Sequence, residues 1–271
     1  MIKKVSYVSD LHLEFRNFPD LSKEAGGDIL ILAGDILTAA AIREDRTDRY
    51  AKTIKKYLAG PFKKFIDKYS EVFYICGNHE YYQSLYGETE TTIRKGFDSL
   101  GLEKIDIWEN NTKLIDGVLF VGATLWTDFN NRNPLAMNAI QGGMNDYKYI
   151  GDMSGSPITP EFIYDRHMDS RRFIEDALKL HRYTRTVVFT HMAPTYKSVS
   201  QEHCGNDLDH GYASDLSELI LDNPQIRFWI HGHTHQNESY DVGTTKVISN
   251  QMGYSMEPSF RMFKGTRSFE I

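Results

Sequence analysis

Val5-Ser6-Tyr7-Val8-Ser9-Asp10-Leu11-His12 begins as a short apolar run and breaks at once into an acid and a histidine. The same arrangement returns along the chain. Ile29 to Leu32 leads into Ala33-Gly34-Asp35, and Val72 to Ile75 leads into Cys76-Gly77-Asn78-His79-Glu80. Thr186 to Phe189 leads into Thr190-His191, and Ile226 to Ile230 leads into His231-Gly232-His233-Thr234-His235. Short runs rich in Val, Ile, Phe and Tyr and followed by polar or glycine residues read as strands with the polar groups at their ends.

Helical patterns lie between these strands. Pro61 follows Gly60 and is expected to open a helix, with Phe62, Phe65, Ile66 and Tyr69 on one face. Thr159-Pro160 reads as an N-cap with proline at the first helical position, opening a helix to about His181. Ser214 is expected to cap a third helix through Leu221. Strands alternating with helices indicate an α/β protein. Hairpins over Leu114 to Ala123, turning at Asp116-Gly117, and over Tyr240 to Ile248, around Gly243, require mixed sheets. Thr38 to Arg49, Asp128 to Ser156 and Thr195 to Ala213 read as surface loops. With no repeat, linker or low-complexity tract, residues 1–271 are expected to form a single domain.

The 271 residues are 41% hydrophobic and 25% charged, as in an ordinary globular chain, with a net charge of -6. That balance disfavours a surface that tracks nucleic acid, which needs a basic face. It does not disfavour phosphate esters, because bound cations can reverse the sign locally. The N-terminal residues lack the apolar stretch of a signal peptide, and no run is long enough to span a membrane. The two cysteines do not suggest a disulfide framework, so a cytoplasmic setting is expected.

Asp10 and His12 are two apart at a strand end, and His233 and His235 repeat the spacing. On a strand such pairs face one side. Asp35, Asn78 and His191 each follow a strand of their own. Carboxylate with imidazole is a ligand set for Zn, Mn, Fe or Ni, and a bridging carboxylate suits two metals. Gly34, Gly77 and Gly232 keep the backbone uncrowded beside them. Each piece alone is common by chance. Their joint order, each at a strand end, is not.

The ordered set Asp10-x-His12, Gly34-Asp35, Gly77-Asn78-His79-Glu80, Thr190-His191 and Gly232-His233-Thr234-His235 resembles the calcineurin-like metallophosphoesterase superfamily. His191-Met192-Ala193-Pro194, Tyr212 to Leu216 and Asn250 to Tyr254 are similar to a compact bacterial and phage branch of it. The resemblance implies two mixed β-sheets packed as a sandwich and flanked by helices. It implies two divalent transition-metal ions, manganese first, with zinc, iron or nickel as alternatives. One would be held by Asp10, His12, Asp35 and His235, and the other by Asp35, Asn78, His191 and His233. His79 would face the substrate, contacting a phosphoryl oxygen or protonating the leaving oxygen. The implied reaction is hydrolysis of a phosphomonoester or phosphodiester, nucleotides included, by a hydroxide bridging the metals. A nuclease acting on DNA or RNA ends and a non-catalytic scaffold are the competing readings. The scaffold is disfavoured because every ligand and His79 are present.

Departures narrow the family reading. Gly34-Asp35-Ile36-Leu37-Thr38-Ala39 lacks the further Asp and Arg of the protein Ser/Thr phosphatases, which leaves open what orients His79. Thr38 stands where purple acid phosphatases place tyrosine. Other residues have plainer readings. His231 could support the ligands or be structural, and Asn250 could line the pocket or make a turn. Arg43, Arg46 and Arg49 alternate with acids and read as a solvated face. His167 and His181 read as helix-surface residues, and Asp128 could reach the pocket rim. His203, Cys204 and His210 read as a surface loop rather than a zinc site.

Overall fold

A computed structural model describes residues 3–199 and 205–271. In chain order its strands are β1 (Lys4–Val8), β2 (Gly27–Ala33), β3 (Tyr69–Ile75), β4 (Ser84–Leu85), β5 (Ile105–Trp108), β6 (Asn111–Ile115) and β7 (Val118–Ala123). They continue with β8 (Ile150–Gly151), β9 (Arg185–Thr190), β10 (Ile226–His231), β11 (Ser239–Val242), β12 (Thr245–Ser249) and β13 (Arg267–Glu270). A five-stranded sheet runs β13-β1-β2-β3-β5, parallel except for β13. A six-stranded sheet runs β11-β12-β10-β9-β7-β6, parallel at its centre and closed on each side by the two expected hairpins. β4 and β8 form a separate parallel pair.

The continuous apolar strands follow from burial on both faces. Along β2, Ile29, Ile31 and Ala33 join a cluster with Phe73, Trp108, Phe120, Val187, Phe189 and Ile230. Those residues come from both sheets, so this cluster is the filling of the sandwich. The alternate residues Leu30 and Leu32 face the helical layer, as do Val72 and Tyr74 of β3 and Val188 of β9. Period-two alternation thus divides one apolar run between two cores. Phe73 anchors the inner one, 4.4 Å from the Trp108 ring and stacked at 6.1 Å on Phe189.

The helix from Pro160 to Leu180 forms as expected, with the Thr159 hydroxyl accepting from the Phe162 amide at 3.2 Å. Several expectations are corrected. Pro61 does not open a helix. It lies in a wider helical turn, Leu58–Phe62, between the helices Arg49–Tyr57 and Lys63–Ile66. A proline lacks the amide and crowds the carbonyl behind it, and the widened turn accommodates both. Tyr69 belongs to β3. Asp128 to Ser156, expected as a loop, contains the helices Pro134–Gly143 and Asp146–Tyr149. Asn133 caps Pro134–Gly143, whose Ala136, Met137 and Ile140 are buried on one side. The third helix begins at Ser217, because the Ser214 hydroxyl accepts instead from the Asp128 amide at 2.9 Å. Among the described residues no helix is long and apolar enough to cross a membrane.

Phe73→Ala should cost about 3–5 kcal/mol by leaving a cavity between the sheets. Urea unfolding would read this as a lower midpoint. A midpoint unchanged from wild type would mean that the sheets do not depend on this filling.

Candidate metal centre and its surroundings

The loops after β1, β2, β3, β9 and β10 meet at one end of the sandwich and bring all seven expected ligand residues together. The period-two argument for the paired motifs is corrected here. β1 ends at Val8 and β10 at His231, so neither pair lies on a strand. Asp10, His12, Asp35, His233 and His235 instead have φ of 55°, 45°, 53°, 70° and 50°. This left-handed region costs an L-residue energy and persists only where the surroundings hold it. Backbone bonds between the loops hold it here. The Asp10 amide donates to the Gly34 carbonyl at 3.0 Å, the His12 amide to the Asp35 carbonyl at 3.0 Å, and the Gly232 amide to the His191 carbonyl at 3.0 Å.

The buried Glu80 locks two of these loops. Its carboxylate accepts from the amides of Asp35 at 2.9 Å, Ile36 at 2.7 Å and Gly77 at 2.7 Å, and from the Tyr74 hydroxyl at 2.5 Å. Close approach explains the adjoining glycine. A Cβ on Gly77 would lie 2.6 Å from His191 Nε2.

Asp35 sits at the centre, with Oδ1 3.4 Å from His191 Nε2 and Oδ2 3.8 Å from His12 Nε2. Asp10 Oδ1 lies 3.4 Å from His235 Nε2, and the Nε2 atoms of His12 and His235 converge to 3.0 Å. Asn78 turns Oδ1 toward His191 Nε2 at 3.2 Å, while its amide nitrogen donates to Asp146 at 2.8 Å. Asp10, His12 and His235 form one group able to hold a cation, and Asp35, His191 and His233 another. Asp35 also groups with His12 and His79.

The histidines are anchored from behind. His12 Nδ1 lies 3.1 Å from Glu14, His191 Nδ1 2.9 Å from the Ala33 carbonyl, and His235 Nδ1 2.6 Å from Glu257. His233 Nε2 lies 3.3 Å from the Gly211 carbonyl. Outer partners of this kind are what ligating imidazoles have. Their arrangement fits a divalent cation on each side of Asp35.

The electrostatics agree with that fit. Burial would raise Asp35, but His191, His79 and His12 hold it well below the carboxylate range. Burial opposes charge on His235 and His191, yet Asp10 and Glu257 raise the first to about 10 and Asp35 raises the second to about 9. Burial, helped by His191, lowers His233 to about 3. The acids therefore draw protons onto their neighbours, and cation binding would displace those protons.

His79 is buried and lines the cleft beside the candidate ligands. Its Nδ1 is 2.9 Å from Glu14, its Nε2 is 3.0 Å from the Tyr254 hydroxyl, and Tyr82 stacks on it at 4.3 Å. Burial lowers it, but Asp35 and Glu14 outweigh burial and raise it to about 9.

Several secondary readings change. His231 is structural, bonding Ser198 at 2.8 Å through Nε2. Asn250 is structural too, donating to the Tyr7 and Gly265 carbonyls at 2.9 Å each. Asp128 is buried and caps a turn through the Asn130 amide. His167 is fully buried on the Leu125 carbonyl at 3.1 Å, not on the helix surface. Arg43 pairs with Asp45 on the surface as expected, but Arg46 lines the central cleft. His203 and Cys204 lie outside the described residues, and His210 contacts the Tyr196 hydroxyl at 2.7 Å. Glu14, Asp146, Glu257 and Tyr254 were not singled out from sequence. Tyr254 enters the sequence reading only as the end of the family-like stretch Asn250 to Tyr254, and Glu14 stands as an acid between Leu13 and Phe15 two residues past His12.

A sequence model described as calcineurin-like phosphoesterase matches residues 3–237. An uncharacterized protein of Acanthamoeba polyphaga mimivirus is 28% identical over 93% of this chain and 91% of its own length. The crystal structure of a phosphopantetheinyl hydrolase from Mycobacterium tuberculosis superposes with a TM-score of 0.68 at 15% identity. That match covers 98% of this chain and 95% of the other, and it is a likeness of fold.

Glu80→Ala would strip the acceptor from the amides of Asp35, Ile36 and Gly77. Expected destabilisation is about 3 kcal/mol or more, since each buried orphan costs roughly 1–3 kcal/mol. Denaturant titration checks it, and a wild-type midpoint would show that other contacts hold these loops.

Proposed function

The chain belongs to the calcineurin-like phosphoesterase family, and from that premise we propose that it hydrolyses a small phosphate ester at a two-cation centre. One cation would be held by Asp10, His12, Asp35 and His235, and the other by Asp35, Asn78, His191 and His233. The observation that carries this reading is the orientation of Asp35, whose two oxygens face two different groups of histidines. A mixed carboxylate, amide and imidazole set suits manganese, and also zinc, iron or nickel. Cations bound there would supply Lewis acidity toward the phosphoryl group and its attacking water.

The protein's own groups supply the rest. Asp35, Asp10 and Asn78 present oxygen donors already fixed by backbone and side-chain bonds, so little rearrangement is needed on loading. His79 stands beside the ligands and outside both sets. Its Nδ1 is engaged by Glu14, which leaves Nε2 as the atom that meets the substrate. We assign it to protonating the leaving oxygen, a role typically worth about 10²–10⁴-fold.

The cleft over the centre has a volume of about 980 Å³, within the range of small-molecule sites. Phe15, Tyr82, Tyr149 and Tyr254 line it, with Phe15 51% and Tyr149 48% exposed. Among its described lining residues Arg46 is the one lysine or arginine, and its charge is met by Asp48 at 2.7 Å. Aromatic walls with one compensated cation favour an ester with a single phosphate and a planar organic part, such as a nucleotide. They disfavour a polyanionic strand, which needs several cations along its path.

Protein loaded with Mn²⁺ and assayed on p-nitrophenyl phosphate, bis-p-nitrophenyl phosphate, nucleoside and cyclic nucleotide monophosphates and labelled oligonucleotides tests the reading. Turnover of small esters, abolished by chelation, is expected. Turnover of oligonucleotide ends alone would move the assignment to a nuclease, and inactivity with metals confirmed by elemental analysis would favour a scaffold. His79→Asn should keep both metals and lower kcat by about 10²–10⁴-fold. Loss of the metals in that variant would make His79 a ligand instead.

A further inference from the structure

Glu14 lies in the short turn Leu13–Phe15 immediately after His12. The left-handed φ of 45° at His12 starts this turn, and the Tyr50 hydroxyl donates to the Glu14 carbonyl at 2.6 Å. The turn carries the Glu14 side chain back beneath the site, where it is 7% exposed. There one oxygen, Oε1, receives two imidazoles, His12 Nδ1 at 3.1 Å and His79 Nδ1 at 2.9 Å. The two rings meet edge to face with centroids 4.5 Å apart. Oε2 is buried and has no hydrogen-bond partner among the described residues. A carboxylate is not left half-unsatisfied for packing, since an apolar residue would fill that space at lower cost.

A carboxylate oxygen can only accept, so each histidine must place a proton on Nδ1. That holds an Nδ1 proton of each ring on Glu14 and turns both Nε2 atoms to the other side. For His12 that side holds His235 Nε2 at 3.0 Å and Asp35 Oδ2 at 3.8 Å. For His79 it holds the Tyr254 hydroxyl at 3.0 Å, at the cleft mouth, in the direction from which a leaving oxygen would be met. The residue that orients His79, left open by the missing acids after Asp35, is therefore supplied from the first motif.

We propose that Glu14 is a shared positioning residue, one carboxylate that accepts an Nδ1 proton from both the ligand His12 and the substrate-facing His79 and sets the direction of each ring. The proposal rests on the hydrolysis and metal assignment above. It couples metal binding to leaving-group protonation through a single side chain, so one substitution should damage both. A residue acting through His79 matters most where the leaving group needs a proton. It also adds little once His79 is gone.

The test compares wild type, Glu14→Ala, Glu14→Gln, His79→Asn and the double variant Glu14→Ala with His79→Asn. Calorimetric titration of Mn²⁺ into metal-free protein should show affinity weakened about 10–100-fold in Glu14→Ala and unchanged in His79→Asn. At saturating Mn²⁺, Glu14→Ala should lower kcat about 10–100-fold, with KM nearly constant. The loss should be larger for an alkyl phosphate than for p-nitrophenyl phosphate. In the His79→Asn background the same substitution should cost less than about threefold.

Glu14→Gln keeps an acceptor oxygen in place. It should fold even if the alanine variant does not, and should recover kcat to well above the alanine value. Equal losses with and without His79, an unchanged Mn²⁺ affinity, or a glutamine variant no faster than alanine would each overturn the proposal. Failure of the parent reading looks different, because metal-loaded wild type would then hydrolyse no phosphoester.

Discussion

Asp35 is buried, 1% exposed, at the place where five loops converge. A carboxylate there is tolerable only if opposite charge comes with it, because desolvation of an unpaired ion costs more than packing returns. Everything around it answers that constraint. His191 and His12 approach its two oxygens from different sides, and Gly77 gives up its side chain so that Asp35 and His191 fit beside the backbone. Glu80, itself bound to the amides of Asp35, Ile36, Leu37 and Gly77, ties together two of the loops at the site. The proposed cations would replace protons that the acids already draw onto their histidine neighbours.

The sandwich makes this concentration of charge possible. Its inner filling of Phe73, Trp108, Phe120 and Phe189 clamps the sheets together, so the ends of their parallel strands can serve as fixed mounts. The candidate ligand residues arise beyond the carboxyl ends of strands in both sheets, where binding crevices of α/β folds form. The same rigidity sustains left-handed backbone at five candidate ligands, a conformation that isolated loops would abandon. Strain at the site is thus balanced by packing well below it.

Much of this was legible from residue order. The strands carrying the motifs stand where the apolar runs place them, and the two hairpins follow from Asp116-Gly117 and Gly243. The seven candidate ligands and His79 converge because each follows the end of a strand, although the two-residue spacing acts through left-handed loops and not through strand alternation. What failed did so for identifiable reasons. Pro61 departs from expectation because a widened helical turn has no sequence signature separate from a helix start. Pro134–Gly143 was hidden in a stretch rich in asparagine and glycine, although its apolar residues have helical spacing. His167 looked exposed because a lone histidine in a charged helix gives no hint of the carbonyls it will meet.

The sequence by itself determined the chemistry at the strand ends, since ligand type and strand boundary are local properties read a few residues at a time. It determined the layered fold as well, because alternation along each run divides apolar residues between two cores. Only the tertiary structure decided which oxygen of Asp35 faces which histidine, and which carboxylate or carbonyl stands behind each ring. Glu14 reaches His79 across 65 positions, Asp146 reaches Asn78 across 68, and Glu257 reaches His235 across 22. Such pairings depend on where loops from different strands come to rest, and no local pattern of residues encodes that.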